Sequence, residues 1–428
     1  MKVGIIGLGY VGLPLVIQFA KSGAQVLGID LDEKKVNALN KGQSYINHIS
    51  SEDVQNQIDN GRLEATTDSS RVNELDAVLI CVPTPLKENR EPDLSYVLIT
   101  GQSIAPHLPE GIVVSLESTT YPGTTEDELR PILEEGSGFK AGINFHLVYS
   151  PEREDPGNPA SQVAKIPKVI GGFTPECLEK AKDVYSIAIE TLVPVSSCRI
   201  AEAAKLTENI FRCVNIALVN ELKMIYQKMD IDVWEVIEAA KTKPFGFMPF
   251  YPGPGLGGHC IPIDPFYLSW KARQEGTEAR FIELAGEVNT SMPDYVIGRL
   301  GEALKRQGKT VEGSKVLIVG LAYKPDVEDD RESPSYVLME KLEGLGAEVA
   351  YYDLHVPIIL PSREYSHFAG MKSVLWNKEG ISAYDAAIIS TAHSAVDHGQ
   401  LVDWIPIIVD TRHAISISSV HHEGVIGA

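Results

Sequence analysis

Short unbroken apolar runs alternate along this chain with longer stretches whose apolar residues recur every three or four positions. The first runs stand at 2–7, 24–30, 77–82, 112–117 and 145–149. Runs without polar alternation are the pattern of strands buried on both faces of a parallel sheet. Helical spacing follows the first run at 13–22, and the polar-faced stretch 36–61 reads as one helix. A second series opens at 315–320, with a helix over 333–345 and further strands at 348–353, 386–390 and 407–410. The fold class is therefore α/β, with two Rossmann-like, doubly wound domains.

Between the two series, 199–229 contains neither proline nor glycine and places Ala201, Ala204, Ile210, Phe211, Val214, Leu218, Leu222 and Ile225 at helical spacing. A helix of that length is expected to join domains. Helices at 266–275 and 281–305 complete a helical middle domain. The expected boundaries are 1–198 for a dinucleotide-binding domain, 199–305 for a central helical domain and 306–428 for a second α/β domain. The stretch 413–428 carries few structural signals and reads as a loosely held tail.

Composition narrows the function. The chain has 428 residues, too many for a single core. With 38 basic against 58 acidic residues its net charge is −20, which argues against nucleic acid or an anionic membrane as the main partner. Cys81, Cys177, Cys198, Cys213 and Cys260 are odd in number and scattered, without zinc-site spacing, so no metal is expected. A reducing cytoplasm fits such cysteines. Met1-Lys2 runs straight into a strand with no export signal, and no stretch approaches the roughly 20 apolar residues of a membrane span.

Candidate chemistry begins at Gly7-Leu-Gly9-Tyr10-Val11-Gly12, which lies between the first strand and the first helix, with Asp30 ending the second strand. That is the context of a dinucleotide fingerprint: glycines admit a pyrophosphate to the helix N-terminus and the acid takes a ribose hydroxyl. An acid rather than arginine there favours NAD over NADP. Pro83 and Thr84 follow another strand at the edge where ligands meet parallel sheets. Ser118 and Thr119 are either helix caps or contacts to nicotinamide or substrate. Glu152, beside Arg153, is either an acid/base group or part of a solvated turn.

Lys205, Asn209 and Arg212 fall on one face of the long helix, where simple solvation is the alternative. The stretch 251–265 surrounds Cys260 with Gly253, Gly255, Gly257 and Gly258 and with four prolines, and Asp264 follows four residues later. Glycines there would let a ligand lie against the main chain beside a nucleophilic thiol. The plainer reading is a turn with a buried cysteine. Lys324 and Arg331 stand at the carboxyl edge of a strand, suited to a diphosphate or simply exposed. The second α/β series lacks the glycine fingerprint and is expected to bind something else.

Taken together and in order, Gly7 to Gly12, Ser118-Thr119, Pro151-Glu152, Lys205 with Asn209, Gly257 to Cys260 with Asp264, and Tyr323-Lys324 through Arg331 resemble the UDP-glucose/GDP-mannose dehydrogenase family over nearly the whole chain. The resemblance implies an NAD-dependent four-electron oxidation of a nucleotide sugar. Cys260 would attack the C6 aldehyde made first, and the thiohemiacetal would be oxidised to a thioester that water hydrolyses to the uronate. It further implies Lys205 and Asn209 at the reacting oxygen, and Asp264, Glu152 and Thr119 handling proton and water. Tyr10, Val11, Pro83, Thr84, Ser118 and Thr119 would join the glycines and Asp30 around the cofactor.

Arg153, Phe250, Tyr251, Gly255, Gly257, Lys324 and Arg331 would contact the substrate, with Glu152, Lys205 and Asn209 also reaching it. The long helix would form a dimer core, so a homodimer or higher homo-oligomer is expected. The stretch 241–255, with Pro244-Phe245 where the UDP-glucose branch carries an arginine, resembles the branch acting on UDP-N-acetylhexosamines. UDP-N-acetylglucosamine is the first expectation, in the supply of surface polysaccharide precursors. UDP-N-acetylmannosamine, UDP-N-acetylgalactosamine and UDP-glucose are the alternatives. Two readings compete: a two-electron hydroxyacid-type dehydrogenase, which needs neither thiol nor second α/β domain, and a catalytically silent nucleotide-sugar sensor.

Overall fold

The structure is a computed structural model and describes residues 1–46, 49–87, 91–154, 162–258, 261–362, 364–415 and 424–428. The chain divides into two compact units, one of Met1–Asn209 with Phe266–Glu278, the other of Ile210–Pro265 with Ala279–Ala428.

In the first unit β1 (Lys2–Ile6), β2 (Gln25–Ile29), β3 (Leu63–Thr66), β4 (Ala77–Ile80), β5 (Val113–Leu116), β6 (His146–Tyr149), β7 (Lys168–Gly172) and β8 (Leu192–Val195) form one sheet in the order β3-β2-β1-β4-β5-β6-β7-β8. Its strands are parallel except that β7 runs antiparallel to β6. The order reverses between β1 and β4, so the carboxyl ends of these two strands open the crevice where α/β sheets bind ligands. Helices α1 (Gly12–Lys21), α2 (Glu33–Asn40), α3 (Ser51–Asp59), α4 (Ser95–Ile104), α5 (Arg130–Ser137) and α6 (Pro175–Tyr185) connect the strands. Strands β4, β5 and β6 are buried at every position, as their unbroken apolar sequence requires.

The single helix expected over 36–61 is instead two, α2 and α3. Gly42 takes φ +71° just after α2, a left-handed conformation that closes a helix, and its missing Cβ leaves room for the Gln55 side chain. The Ser50 hydroxyl then accepts from the Asp53 N–H and starts α3.

The long helix is α7 (Cys198–Lys228), followed by α8 (Val233–Lys241), α9 (Asp264–Gln274) and α10 (Arg280–Arg306). The second sheet has β9 (Lys315–Val319), β10 (Glu348–Tyr352), β11 (Ala386–Ile389), β12 (Ile408–Asp410) and β13 (Val425–Gly427) in the order β10-β9-β11-β12-β13, all parallel. Helix α11 (Pro334–Gly344) packs beside it, capped by Ser333. Strand β13 corrects the expected loose tail: Val425–Gly427 pairs with β12 and Ala428 is fully buried. Its three residues are too few for a periodic signal.

Candidate active site

The first unit builds a nucleotide cradle at the carboxyl ends of β1 and β2. Gly7 has φ +90°, and a Cβ there would lie 2.6 Å from the Cys81 carbonyl oxygen. A Cβ on Gly12 would lie 1.8 Å from the Gly7 oxygen, so this glycine lets α1 begin directly against the turn. Gly9 is different, because nothing lies within 4 Å of its would-be Cβ, which leaves its open side to a ligand. Tyr10 and Val11 pack their side chains on the sheet core. Asp30 accepts from the Leu8 N–H at 2.8 Å and pairs with Lys35 at 3.2 Å, with its side chain 12% exposed. A free helix start, an open glycine and a partly exposed carboxylate at the end of β2 are the parts an NAD pyrophosphate and ribose need, so the residues fit that cofactor.

Beyond β4, Pro83 is exposed and Thr84 is buried, with its hydroxyl donating to the Thr119 carbonyl at 2.8 Å. Ser118 is buried as well and donates to the Val82 carbonyl at 2.6 Å. Of the two sequence readings for Ser118, neither a helix cap nor an outward contact describes that bond: the hydroxyl braces two strand ends together. Thr119 is half-buried beside it. The Glu152 carboxylate accepts the Arg153 N–H at 2.6 Å and the Glu154 N–H. Arg153 itself is held by Glu208 at 2.6 Å and by the Pro167 carbonyl. Glu154 is pushed up to about 9 by burial, with the neighbouring Glu152 charge adding to the effect.

Lys205 and Asn209 sit one turn apart on α7, 9% and 6% exposed, while Arg212 is exposed. The three share a helix face by spacing, but only the first two are withdrawn from solvent. Asp264, the first residue of α9, is 2% exposed. Cys260, the candidate nucleophile, and its neighbour His259 lie outside the described residues.

In the second unit the glycine loop is packed, and the packing explains its composition. A Cβ on Gly257 would lie 2.8 Å from Pro334 and 2.9 Å from Tyr323, and one on Gly258, at φ +84°, 2.8 Å from the Tyr323 ring. A Cβ on Gly253 would meet the Arg412 guanidinium at 2.4 Å. The expectation that these glycines leave main chain open to a ligand is therefore replaced, at Gly253, Gly257 and Gly258, by close approach of protein side chains. Gly255, at φ +145°, faces Pro334 at 3.2 Å. Phe250 meets Phe211 edge-on at 5.6 Å, and Tyr251 stacks on Trp234 at 5.4 Å and donates to Glu238 at 2.6 Å.

Lys324 lies over the Tyr323 ring at 5.6 Å, and Arg331 pairs with Asp329 at 2.6 Å. Arg412 went unmarked in the sequence. It is half-buried, donates from Nε to the Ser390 carbonyl at 2.7 Å and is pulled down to about 10 by the withdrawal of its charge from water, so it keeps that charge at neutral pH. Its signal was there to find: Asp410-Thr-Arg412 ends a strand, as Tyr323-Lys324 follows one.

Three consecutive parts of the chain match one family. Residues 1–189 match the NAD binding domain of the UDP-glucose/GDP-mannose dehydrogenase family, 199–291 its central domain and 317–417 its UDP binding domain. The chain is 36% identical over 398 residues to a UDP-N-acetyl-D-glucosamine 6-dehydrogenase of Pseudomonas aeruginosa, covering 92% of this chain and 91% of that one. It is 40% identical over 354 residues to a UDP-N-acetyl-D-mannosamine dehydrogenase of Escherichia coli K12, covering 79% and 81%. A solved structure of a UDP-D-ManNAc dehydrogenase from Pyrococcus horikoshii superposes with a TM-score of 0.89 at 30% identity, covering 100% of this chain and 99% of that one.

Proposed function

The chain belongs to the UDP-glucose/GDP-mannose dehydrogenase family and is an NAD-dependent UDP-sugar dehydrogenase, and from that premise we propose that it oxidises the C6 hydroxyl of a UDP-N-acetylhexosamine to the uronic acid. UDP-N-acetylglucosamine is the substrate we put first, as a precursor of a surface polysaccharide. One observation supports the substrate class: relatives at 36% and 40% identity are named for N-acetylated UDP-sugars. The opposite epimer at C2 is the second reading, favoured by the mannosamine-named relative at 40% identity.

In this reading the Cys260 thiolate attacks the C6 aldehyde left by the first oxidation, and the thiohemiacetal is oxidised to a thioester. Bound NAD supplies the hydride acceptor. Lys205 stabilises negative charge on the reacting oxygen and lowers the thiol pKa, with Asn209 donating beside it. Burial strengthens both effects, since charges act more strongly where water is excluded. Asp264, Glu152 and Thr119 position the hydrolytic water and take its proton. Lys324, Arg331 and Arg412 are cations suited to a diphosphate.

A second copy of the chain is the partner we assign to α7. Ile200, Leu218 and Ile225 are 46% to 48% exposed and recur at helical spacing along it. Among the described residues no helix is long and apolar enough to cross a membrane.

The test counts NADH formed per sugar consumed on UDP-N-acetylglucosamine, UDP-N-acetylmannosamine, UDP-N-acetylgalactosamine and UDP-glucose, with product mass recorded. Two NADH per sugar and an acid product on an N-acetyl substrate are expected. One NADH per sugar would rule out the thioester route, and turnover of UDP-glucose alone would rule out the substrate class. Replacing Cys260 by Ala should abolish acid formation, whereas a silent sensor would show no turnover in either protein.

A further inference from the structure

Lys223 lies within α7, in the second unit, and is 4% exposed, yet its Nζ has no hydrogen-bond partner among the described residues. A buried amine without an acceptor is costly, and an apolar residue of the same length would avoid the cost. The amine borders a cavity of about 280 Å³, lined also by Gln227, Asp232, Trp234, Asp410 and His413. That is room for a small organic molecule rather than a single water. Part of the wall is aromatic: Trp234 lies on His413 at 5.3 Å, within 18° of parallel.

Three of the other polar groups of the wall are already engaged. Asp410 accepts from the Arg412 and Ile415 N–H groups at 2.9 and 2.8 Å, and Asp232 caps α8 by accepting from Trp234 at 2.9 Å. Gln227 Oε1 accepts from the Tyr295 hydroxyl at 2.5 Å. None of these groups accepts from the Lys223 amine. The charges acting on Lys223 are Asp410 and Asp232 on one side and Arg412 and Arg299 on the other, with Asp230 and His413 also on the wall. Arg299 likewise has a buried Nε without a partner among the described residues.

We propose that this cavity is a second ligand site, separate from the cofactor and UDP-sugar sites, which takes the oxyanion group, carboxylate or phosphate, of a small molecule on the Lys223 amine. Burial pulls the amine down to about 7, with Arg412 and Arg299 adding to the effect against Asp410. The anion binds the protonated form. Affinity therefore falls roughly tenfold per pH unit above about 7, and binding above that pH takes up a proton.

The experiment uses the full chain saturated with UDP, which fills the nucleotide site, so any remaining response to oxyanions belongs elsewhere. Acetate and inorganic phosphate are titrated separately against chloride of equal ionic strength, at about pH 6 and about pH 8.5. Thermal midpoint and calorimetric heat are read for the wild type and Lys223→Met. A rise in midpoint larger at the lower pH, with proton uptake at the higher pH, lost in Lys223→Met while UDP still binds, is expected. The anion that gives it identifies the group. No rise with either anion, or the same rise in Lys223→Met, would overturn the site. Should Lys223→Met fail to fold, Lys223→Gln takes its place, and wild-type proton uptake measured in two buffers decides alone: none overturns it.

Discussion

At β5 and β7 the fold buries an ion pair whose members need each other. Lys168 Nζ lies 2.7 Å from Glu117 Oε2 with side chains 6% and 0% exposed, and the Tyr185 hydroxyl donates to the other carboxylate oxygen. Burial pulls the Lys168 amine down, but Glu117 and Glu152 outweigh it and hold the group above its usual range. Lys168→Met leaves a buried, uncompensated carboxylate and should cost about 3–5 kcal/mol, whereas adding Glu117→Leu should recover most of it. Urea unfolding of the two variants checks this, and equal losses would show that the pair does not couple. The sequence could not announce this pair, because its members are 51 residues apart and meet only once both strands are in register. Gly7, Gly12 and Asp30 were legible for the opposite reason: a turn, a helix start and a strand end are fixed within one βαβ segment.

Helices were read well where periodicity ran long, as in α7 and α10, and badly where short caps decide, as in α2 and α3. A cap also gives α7 a second task. Its Glu202 carboxylate, fully buried, accepts from the Gly123 N–H at 2.6 Å and from the Thr125 N–H at 2.9 Å, at the N-terminus of the π-helical turn Thr124–Leu129. Burial pushes Glu202 up to about 6 from 4.5, although these hydrogen bonds favour the charged form. The folded state therefore holds more protons than the unfolded one between those values, and this group's contribution falls as pH rises through them. Relative to Glu202→Gln, the wild type should lose about 1 kcal/mol of stability from pH 4.5 to pH 6. Denaturant titrations at both pH values measure the difference, and a gap that stays flat would refute it. The exposed side of α7 supplies another prediction, that Leu218→Glu with Ile225→Glu converts a dimer into monomers. Light scattering reports the mass directly, and an unchanged dimer would place the interface elsewhere.

Across the whole molecule the same local device occurs twice, with different outcomes. Gly7 and Gly320 have φ +90° and +88°, and each precedes a leucine whose N–H is held by the acid ending the next strand. In the second copy Asp353 is 3% exposed and also accepts from Ala322, His355, Val356 and His393. No lone pair is left for a ribose, which gives a physical reason why the second series has the alternation of the first without its fingerprint. The α/β alternation of both halves was readable from the apolar runs; which unit each piece joins was not. Residues 266–278 return to the first unit, where Tyr267 donates to the Thr84 carbonyl and Trp270 packs on Tyr121 at 5.1 Å. Tyr267→Phe should lose about 1–3 kcal/mol and raise the KM for NAD, because the Pro83–Thr84 turn loses its brace. An unchanged KM with lowered stability would confine Tyr267 to the fold. The return also governs the order of assembly on the ribosome. Chain that has emerged only to residue 209 holds a complete eight-stranded sheet but leaves the Thr84 carbonyl and the Tyr121 ring uncovered. The missing cover is another 69 residues away, a wait of roughly 3 to 14 s at ordinary elongation rates, during which a nascent-chain chaperone would find that face bare.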